Sequence, residues 1–253
     1  MAMTRRRGVG VVAAFFAAFT AVAFSVRWPG SGKATSKAEQ AAPQPVRPLD
    51  ARERAPELLQ IYRDSVQPGA DEELRRVEED AARICAELGF PNPHLALESL
   101  SGPKEVWWLN AFPSEDARRR VASEYTGNRR LIEALEGIAK RKEGLLSVPV
   151  DVIGRYRPDL SRGVVWDPAG ARFVVAMVQT NAAEHDAAVF ETPDGMFFAL
   201  RPARSREEAE SLARTAGPEA RLFEVRPSWG MPAKAWVSAD PEFWRANPAA
   251  GRR

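Results

Sequence analysis

Apolar and polar positions alternate with period two from Leu58 to Gln67, and the run stops at Pro68-Gly69, as a strand ending in a turn does. From Asp71 the period changes. Leu74, Val77, Ala81, Ile84 and Leu88 are spaced by threes and fours, which predicts a helix with Asp71 as its cap and Gly89 just past its end. His94–Ser101 and Glu105–Phe112 read as two extended runs joined through Ser101-Gly102-Pro103-Lys104, a hairpin. Ser114 then opens a long helix with Val121, Tyr125, Leu131, Ile132, Leu135 and Ile138 on one side, bent or broken at Thr126-Gly127-Asn128. Val148, Val150, Val152 and Tyr156 alternate along a last strand. The order strand, helix, strand, strand, helix, strand predicts a ferredoxin-like βαββαβ unit over 57–160.

The pattern partly repeats over 161–228. Arg172–Gln179 reads as a strand, Ala187–Thr192 and Met196–Arg201 as a hairpin around Pro193-Asp194-Gly195, and Arg221–Pro227 as a fourth strand. A helix carries the capping box Ser205-x-x-Glu208 and stops at Gly217-Pro218. Asn181–Asp186 stands where a first helix belongs, so this second four-stranded α+β unit is degenerate. Trp229, Trp236, Phe243 and Trp244 lie among prolines in the tail, 229–253, and are expected to staple it onto the domain. The fold expected is α+β, with two units packed through their sheets as an intrachain barrel. The alternative is one ferredoxin-like domain that dimerises through its open face, with 161–253 as a separate module.

Upstream, Arg5-Arg6-Arg7 precedes Gly8–Val26, nineteen residues without a charge, the layout of an export signal or a membrane anchor over 1–28. The length reaches a bilayer span and Arg27-Trp28 supplies an interfacial flank, which favours an uncleaved anchor. Ala21-Val22-Ala23 fits a cleavage site, which favours an exported product. Residues 29–56 contain Pro29, Pro43, Pro45, Pro48 and Pro56 without apolar period, a tether. Both readings put the rest of the chain in a bacterial cell envelope, facing the periplasm or the exterior.

Charge changes the picture little. The chain has 36 Lys+Arg and 34 Asp+Glu, but Arg5, Arg6, Arg7 and Arg27 leave 32 bases against 34 acids over 29–253. That balance gives no reason to expect a nucleic-acid partner. One cysteine, Cys85, and two histidines, His94 and His185, cannot assemble a Cys/His metal site or an internal disulfide. Gly30-Ser31-Gly32-Lys33 lacks the earlier glycine and the framing elements of a phosphate loop, and no nucleophile elbow, zinc-protease pair or dinucleotide fingerprint is present. The residues call for no cofactor and no metal. Glu78-Glu79-Asp80 and Arg118-Arg119-Arg120 read as solvated helix surface, and Cys85 as core.

Tyr62-Arg63-Asp64-Ser65-Val66-Gln67-Pro68-Gly69 with the acidic start Asp71-Glu72-Glu73, and Glu105-Val106-Trp107-Trp108-Leu109-Asn110-Ala111-Phe112-Pro113-Ser114, resemble the dimeric α+β barrel superfamily, which includes the antibiotic-biosynthesis monooxygenases and the NIPSNAP proteins. The likeness covers about residues 57–157. In that superfamily two four-stranded units close a barrel, which implies that the second unit here completes it within one chain. Haem-degrading members bind iron through a histidine on the second helix, and Ser114–Glu143 contains none; Asp64 stands where some members carry an asparagine. No catalytic residue carries over.

Side chains two apart on a strand share a face. One face collects Leu59, Ile61, Leu95, Leu97, Trp107, Leu109 and Ala111, expected beneath the helices. The other collects Tyr62, Asp64, His94, Glu98, Trp108, Asn110, Asp151 and Arg155, and the resemblance implies that this face lines the barrel cavity. Trp108, Asn110, Tyr62, His94, Asp64, Glu98 and Arg155 are therefore the candidates for a pocket holding a small apolar or aromatic ligand. The competing expectation is that they pair with one another, Arg155 with Asp64 or Glu98, and seal the halves together. Two functions follow: a small-molecule-binding or scaffold protein of the envelope, or a cofactor-independent monooxygenase-type enzyme acting on a small aromatic substrate.

Overall fold

The computed structural model describes residues 55–250, so the segment 8–26 and most of the tether lie outside the described residues. Eight strands follow in the order expected: β1 (Leu58–Val66), β2 (Leu95–Ser99), β3 (Glu105–Phe112), β4 (Leu146–Tyr156), β5 (Phe173–Gln179), β6 (Ala188–Glu191), β7 (Phe197–Ala203) and β8 (Arg221–Val225). Helices α1 (Asp71–Leu88), α2 (Glu115–Gly127) and α3 (Arg129–Arg141) belong to the first half, and α4 (Arg206–Ala216) and the short α5 (Lys234–Ala239) to the second. Among the described residues, no helix is long and apolar enough to cross a membrane.

Every strand pair is antiparallel, and the ring β1-β3-β2-β8-β5-β7-β6-β4 closes within one chain. Taken four at a time, the sheet order is β4-β1-β3-β2 and β8-β5-β7-β6, the same permutation twice. The halves meet at two seams. At one, Leu97 stands opposite Val225; at the other, Tyr156 stands opposite Phe190. The separate-module alternative is thereby replaced by a single closed barrel.

Local chemistry explains most boundaries. Ser114 Oγ accepts the Ala117 N–H and starts α2; Asn128 Oδ1 accepts the Leu131 N–H and starts α3, so the expected bend is a full break. Ser205 Oγ accepts the Glu208 N–H at the start of α4. Gly89 takes φ 75°, the left-handed conformation that ends α1. Asp71 is a correction: it is the first residue of α1 rather than its cap, and the residue before it, Ala70, offers no side-chain cap. The acids Asp71, Glu72 and Glu73 instead face the positive end of the helix dipole.

The middle of the barrel is apolar. Leu59, Ile61, Leu95, Leu97, Trp107 and Leu109 form one cluster with Val174, Phe190, Phe198, Leu200, Phe223 and Val225 from the second half. Trp107 on β3 meets Phe198 on β7 with ring centroids 6.1 Å apart, although three strands separate β3 from β7 around either side of the ring. Such a contact can only cross the inside. Each large side chain buried there contributes roughly 1.5–3 kcal/mol. The tail closes one end as expected: Trp244 is buried in the same cluster, Trp236 and Phe243 pack against it, and Arg172 pairs with Asp240 at 2.8 Å.

Candidate functional site

The residues that share the polar face do so as expected, but they point outward. The face expected beneath the helices fills the barrel, and the face expected to line the cavity lies under α1 and α3. Tyr62, Ala96, Val106 and Trp108 cluster there with Leu74 of α1 and with Trp229 of the tail. The physical reason is that both faces of β1 to β3 are buried: Leu59, Ile61 and Trp107 are 0% exposed on one side, Tyr62 and Trp108 only 6% on the other. Alternation establishes which residues share a face, not which face turns in.

Tyr62 and Trp108 stand directly opposite in the β1–β3 register, rings edge to face with centroids 5.6 Å apart. The Tyr62 hydroxyl lies 3.5 Å from Asp64 Oδ2, at the limit of a hydrogen bond. Burial raises the Asp64 carboxyl to about 6, against the backbone N–H groups of Ser65 and Ser147 and the Lys142 charge, which favour the carboxylate. Burial, with Asp64 next, also pushes the Tyr62 phenol well above its ordinary range, so it stays protonated. Lys142 follows the end of α3 and carries its ammonium 5.3 Å from the Trp108 ring centre, while pairing with Glu78 of α1 at 2.6 Å. Desolvation pulls Lys142 down and pushes Glu78 up, and their mutual attraction opposes both. Cys85 belongs to the adjacent helix core, its thiol raised by burial to about 12.

Glu78 corrects the expectation that Glu78-Glu79-Asp80 is solvated surface, since it is 1% exposed. A sequence signal for this exists. Glu78 follows Leu74 by four and precedes Ala81 by three, so it falls within the apolar stripe of α1; Lys142 likewise follows Ile138 by four. Two opposite charges in phase with two apolar stripes are what a buried interhelix pair requires.

The other candidates lie elsewhere on the same face. Asn110 is opposite Gln60, buried at 8% exposure, with Oδ1 lacking a hydrogen-bond partner among the described residues. Gln60 Nε2 donates instead to Asp151 Oδ1 at 2.9 Å. His94 exchanges backbone hydrogen bonds with Met231 of the tail, and its ring meets Phe90 edge on at 5.2 Å. Glu98 sits between Arg226 at 3.5 Å and Lys104 at 3.8 Å. Arg155 stands opposite Leu58, six residues along β1 from Asp64, a separation of about 20 Å. It pairs with Glu57, so the expected pairing of Arg155 with Asp64 or Glu98 does not occur. Of the seven candidates, Tyr62, Asp64 and Trp108 form one tight group with Asn110 beside it; His94 and Glu98 have other partners and Arg155 is remote. Chemically the group offers a protonated phenol, a carboxyl raised to about 6, and a buried ion pair.

No family model matches the chain, and no curated protein matches it. Solved structures similar to it include a protein from Fusobacterium nucleatum provisionally described as a monooxygenase, 10% identical, with a TM-score of 0.41 over 68% of this chain and 93% of that one. Another, from Lactobacillus acidophilus, carries the same description, with 6% identity and a TM-score of 0.43 over 68% and 94%. A third, provisionally described as a chlorite dismutase, is 11% identical, with a TM-score of 0.39 over 72% and 97%.

Proposed function

We propose that this chain is an extracytoplasmic envelope protein in which the barrel is a packed scaffold displayed on an N-terminal export or anchor segment. The observation that carries the scaffold reading is the Trp107–Phe198 contact across the interior, within a cluster to which all strands but β4 give fully or almost fully buried apolar residues. A catalytic chamber needs a titratable group facing its substrate; Tyr62, Asp64, His94 and Glu98 lie on the opposite face of the sheet, and the inward-facing Glu105 is already bonded to Trp107 and Arg221. The ferredoxin-like origin of each half, and membership of the dimeric α+β barrel superfamily, are supported by the strand permutation that occurs twice.

The second reading is the monooxygenase-type enzyme with a small aromatic substrate. It is favoured by one feature, the meeting of Tyr62, Asp64 and Trp108 under α1, where an aromatic wall adjoins a carboxyl near neutral pH. Thermal unfolding and oxygen uptake of the full chain with a panel of quinols and phenols separate the two. The scaffold reading expects no stabilisation by these quinols and phenols and no uptake. Uptake that is lost in Tyr62→Phe or Asp64→Asn overturns it.

A further inference from the structure

At the end of the barrel opposite the tail, three charged side chains sit on inward-facing positions: Arg63 of β1, Glu105 of β3 and Arg221 of β8. They gather at one indole. Arg63 stands directly opposite Trp107 in the register, and the Arg63 and Arg221 guanidinium carbons are each 5.8 Å from the Trp107 ring centre. Glu105 is the single acid among them, and its Oε2 is already engaged twice, accepting from Trp107 Nε1 at 2.7 Å and from Arg221 at 2.8 Å. Arg221 also donates to the Pro103 carbonyl at 2.8 Å. Arg63 has no ion-pair partner among the described residues, and its Nε is buried without a hydrogen-bond partner. Its other neighbour across the strand, Val150, brings no charge.

A half-buried guanidinium with an unsatisfied N–H is costly unless something accepts from it. We infer that this mouth of the barrel is a binding site for a monoanionic carboxylate, held by Arg63 beside the Trp107–Glu105–Arg221 group. The charge count selects the class. Two guanidinium groups against one carboxylate leave an excess of one positive charge, which a single carboxylate neutralises. A phosphate dianion would exceed it and meet Glu105. The guanidinium fork matches two carboxylate oxygens, and the half-buried Val150 across the strand gives the body of the ligand an apolar neighbour.

The test is calorimetric titration of the full chain with benzoate, with neutral benzamide, chloride and inorganic phosphate as controls at constant ionic strength. Benzoate is expected to saturate at one site per chain, while benzamide and chloride do not. Arg63→Gln is expected to weaken benzoate at least about tenfold, and Arg63→Lys less, because an ammonium keeps the charge but loses the fork. Circular dichroism and the unliganded melting temperature report whether these variants fold. Val150→Glu provides an independent arm: it places a carboxylate across the strand from Arg63 and is expected to abolish benzoate binding by occupying the guanidinium internally. Benzoate no better than benzamide, equal binding by Arg63→Gln or by a folded Val150→Glu, or tighter binding of phosphate overturns the assignment.

Discussion

Lys142 Nζ lies 2.6 Å from Glu78 Oε1, and the two side chains are 4% and 2% exposed. This ion pair fastens the end of α3 to the middle of α1 at a place where neither charge has bulk water as an alternative partner. Removal of one member therefore leaves the other buried and uncompensated. Glu78→Ala or Lys142→Ala is expected to cost about 3–5 kcal/mol in urea unfolding. The double variant Glu78→Leu/Lys142→Met replaces the pair by apolar groups of similar volume and is expected to lie within about 1–2 kcal/mol of the parent, or above it. Two single variants whose losses simply add in the double would count against the pairing.

Asp64 gives the pH dependence. Its carboxyl is raised from 3.8 to about 6 in the folded protein, so the folded state holds its proton more tightly than the unfolded state. Stability from this group is fully present below about pH 4 and is lost as pH rises through 6. Tyr62 and Lys142 are the ionisable groups that act on it, and Glu78, the partner of Lys142, titrates upward too, which is why the comparison must be with a variant. Asp64→Asn should flatten the parent's decline between pH 4 and 6 by on the order of 1–2 kcal/mol, measured as denaturant midpoints along a pH series. A parent-minus-variant difference that is constant across that window would assign the group an ordinary pKa.

Much of this arrangement was legible in the sequence, and the part that was not has a definite cause. Strands and helices follow from period-two and period-3.6 runs bounded by Gly, Pro, Ser and Asn, so β1, β3, α1 and the break at Asn128 sit where the residues require. Face-sharing was legible as well: Tyr62, Trp108 and Asn110 do share a side. The direction of that side was not, because a closed barrel under helices buries both, and Trp107 and Trp108 are neighbours in sequence with equal claims to the interior. The buried pair Glu78–Lys142 was hidden by its company, a run of three acids in one case and Arg141-Lys142-Glu143 in the other. Arg63 gives no signal in the sequence, because one arginine in a strand looks like surface until the ring is closed around it.

The two tryptophans separate the layers. Trp107→Ala empties part of the barrel core and Trp108→Ala part of the layer under α1, and each is expected to cost roughly 3–5 kcal/mol through the cavity left behind. Asn110→Ala should cost no more than about 1 kcal/mol, since its Oδ1 makes no hydrogen bond to lose among the described residues. Chemical unfolding of the three variants is the measurement. A loss at Asn110 as large as that at Trp108 would mean that the amide anchors a network through a bound water or ligand.

Gly154 tests barrel closure itself. It lies on β4 two residues before Tyr156, which stands opposite Phe190 at the β4–β6 seam. A Cβ built on Gly154 would lie 2.7 Å from Phe190 Cβ, and neither atom is the movable end of a long side chain. The strands must therefore separate or slide to admit a methyl group, on one of the two seams that join the halves. Gly154→Ala is expected to destabilise by about 1–3 kcal/mol, with faster amide exchange along β4 and β6 than along β1 and β3. Gly137 provides the control: it is exposed within α3, a Cβ there meets nothing within 4 Å, and Gly137→Ala is expected to stabilise by up to about 1 kcal/mol. If Gly154→Ala also stabilised, or its exchange were enhanced equally around the whole ring, the close approach of β4 and β6 would not be what limits closure.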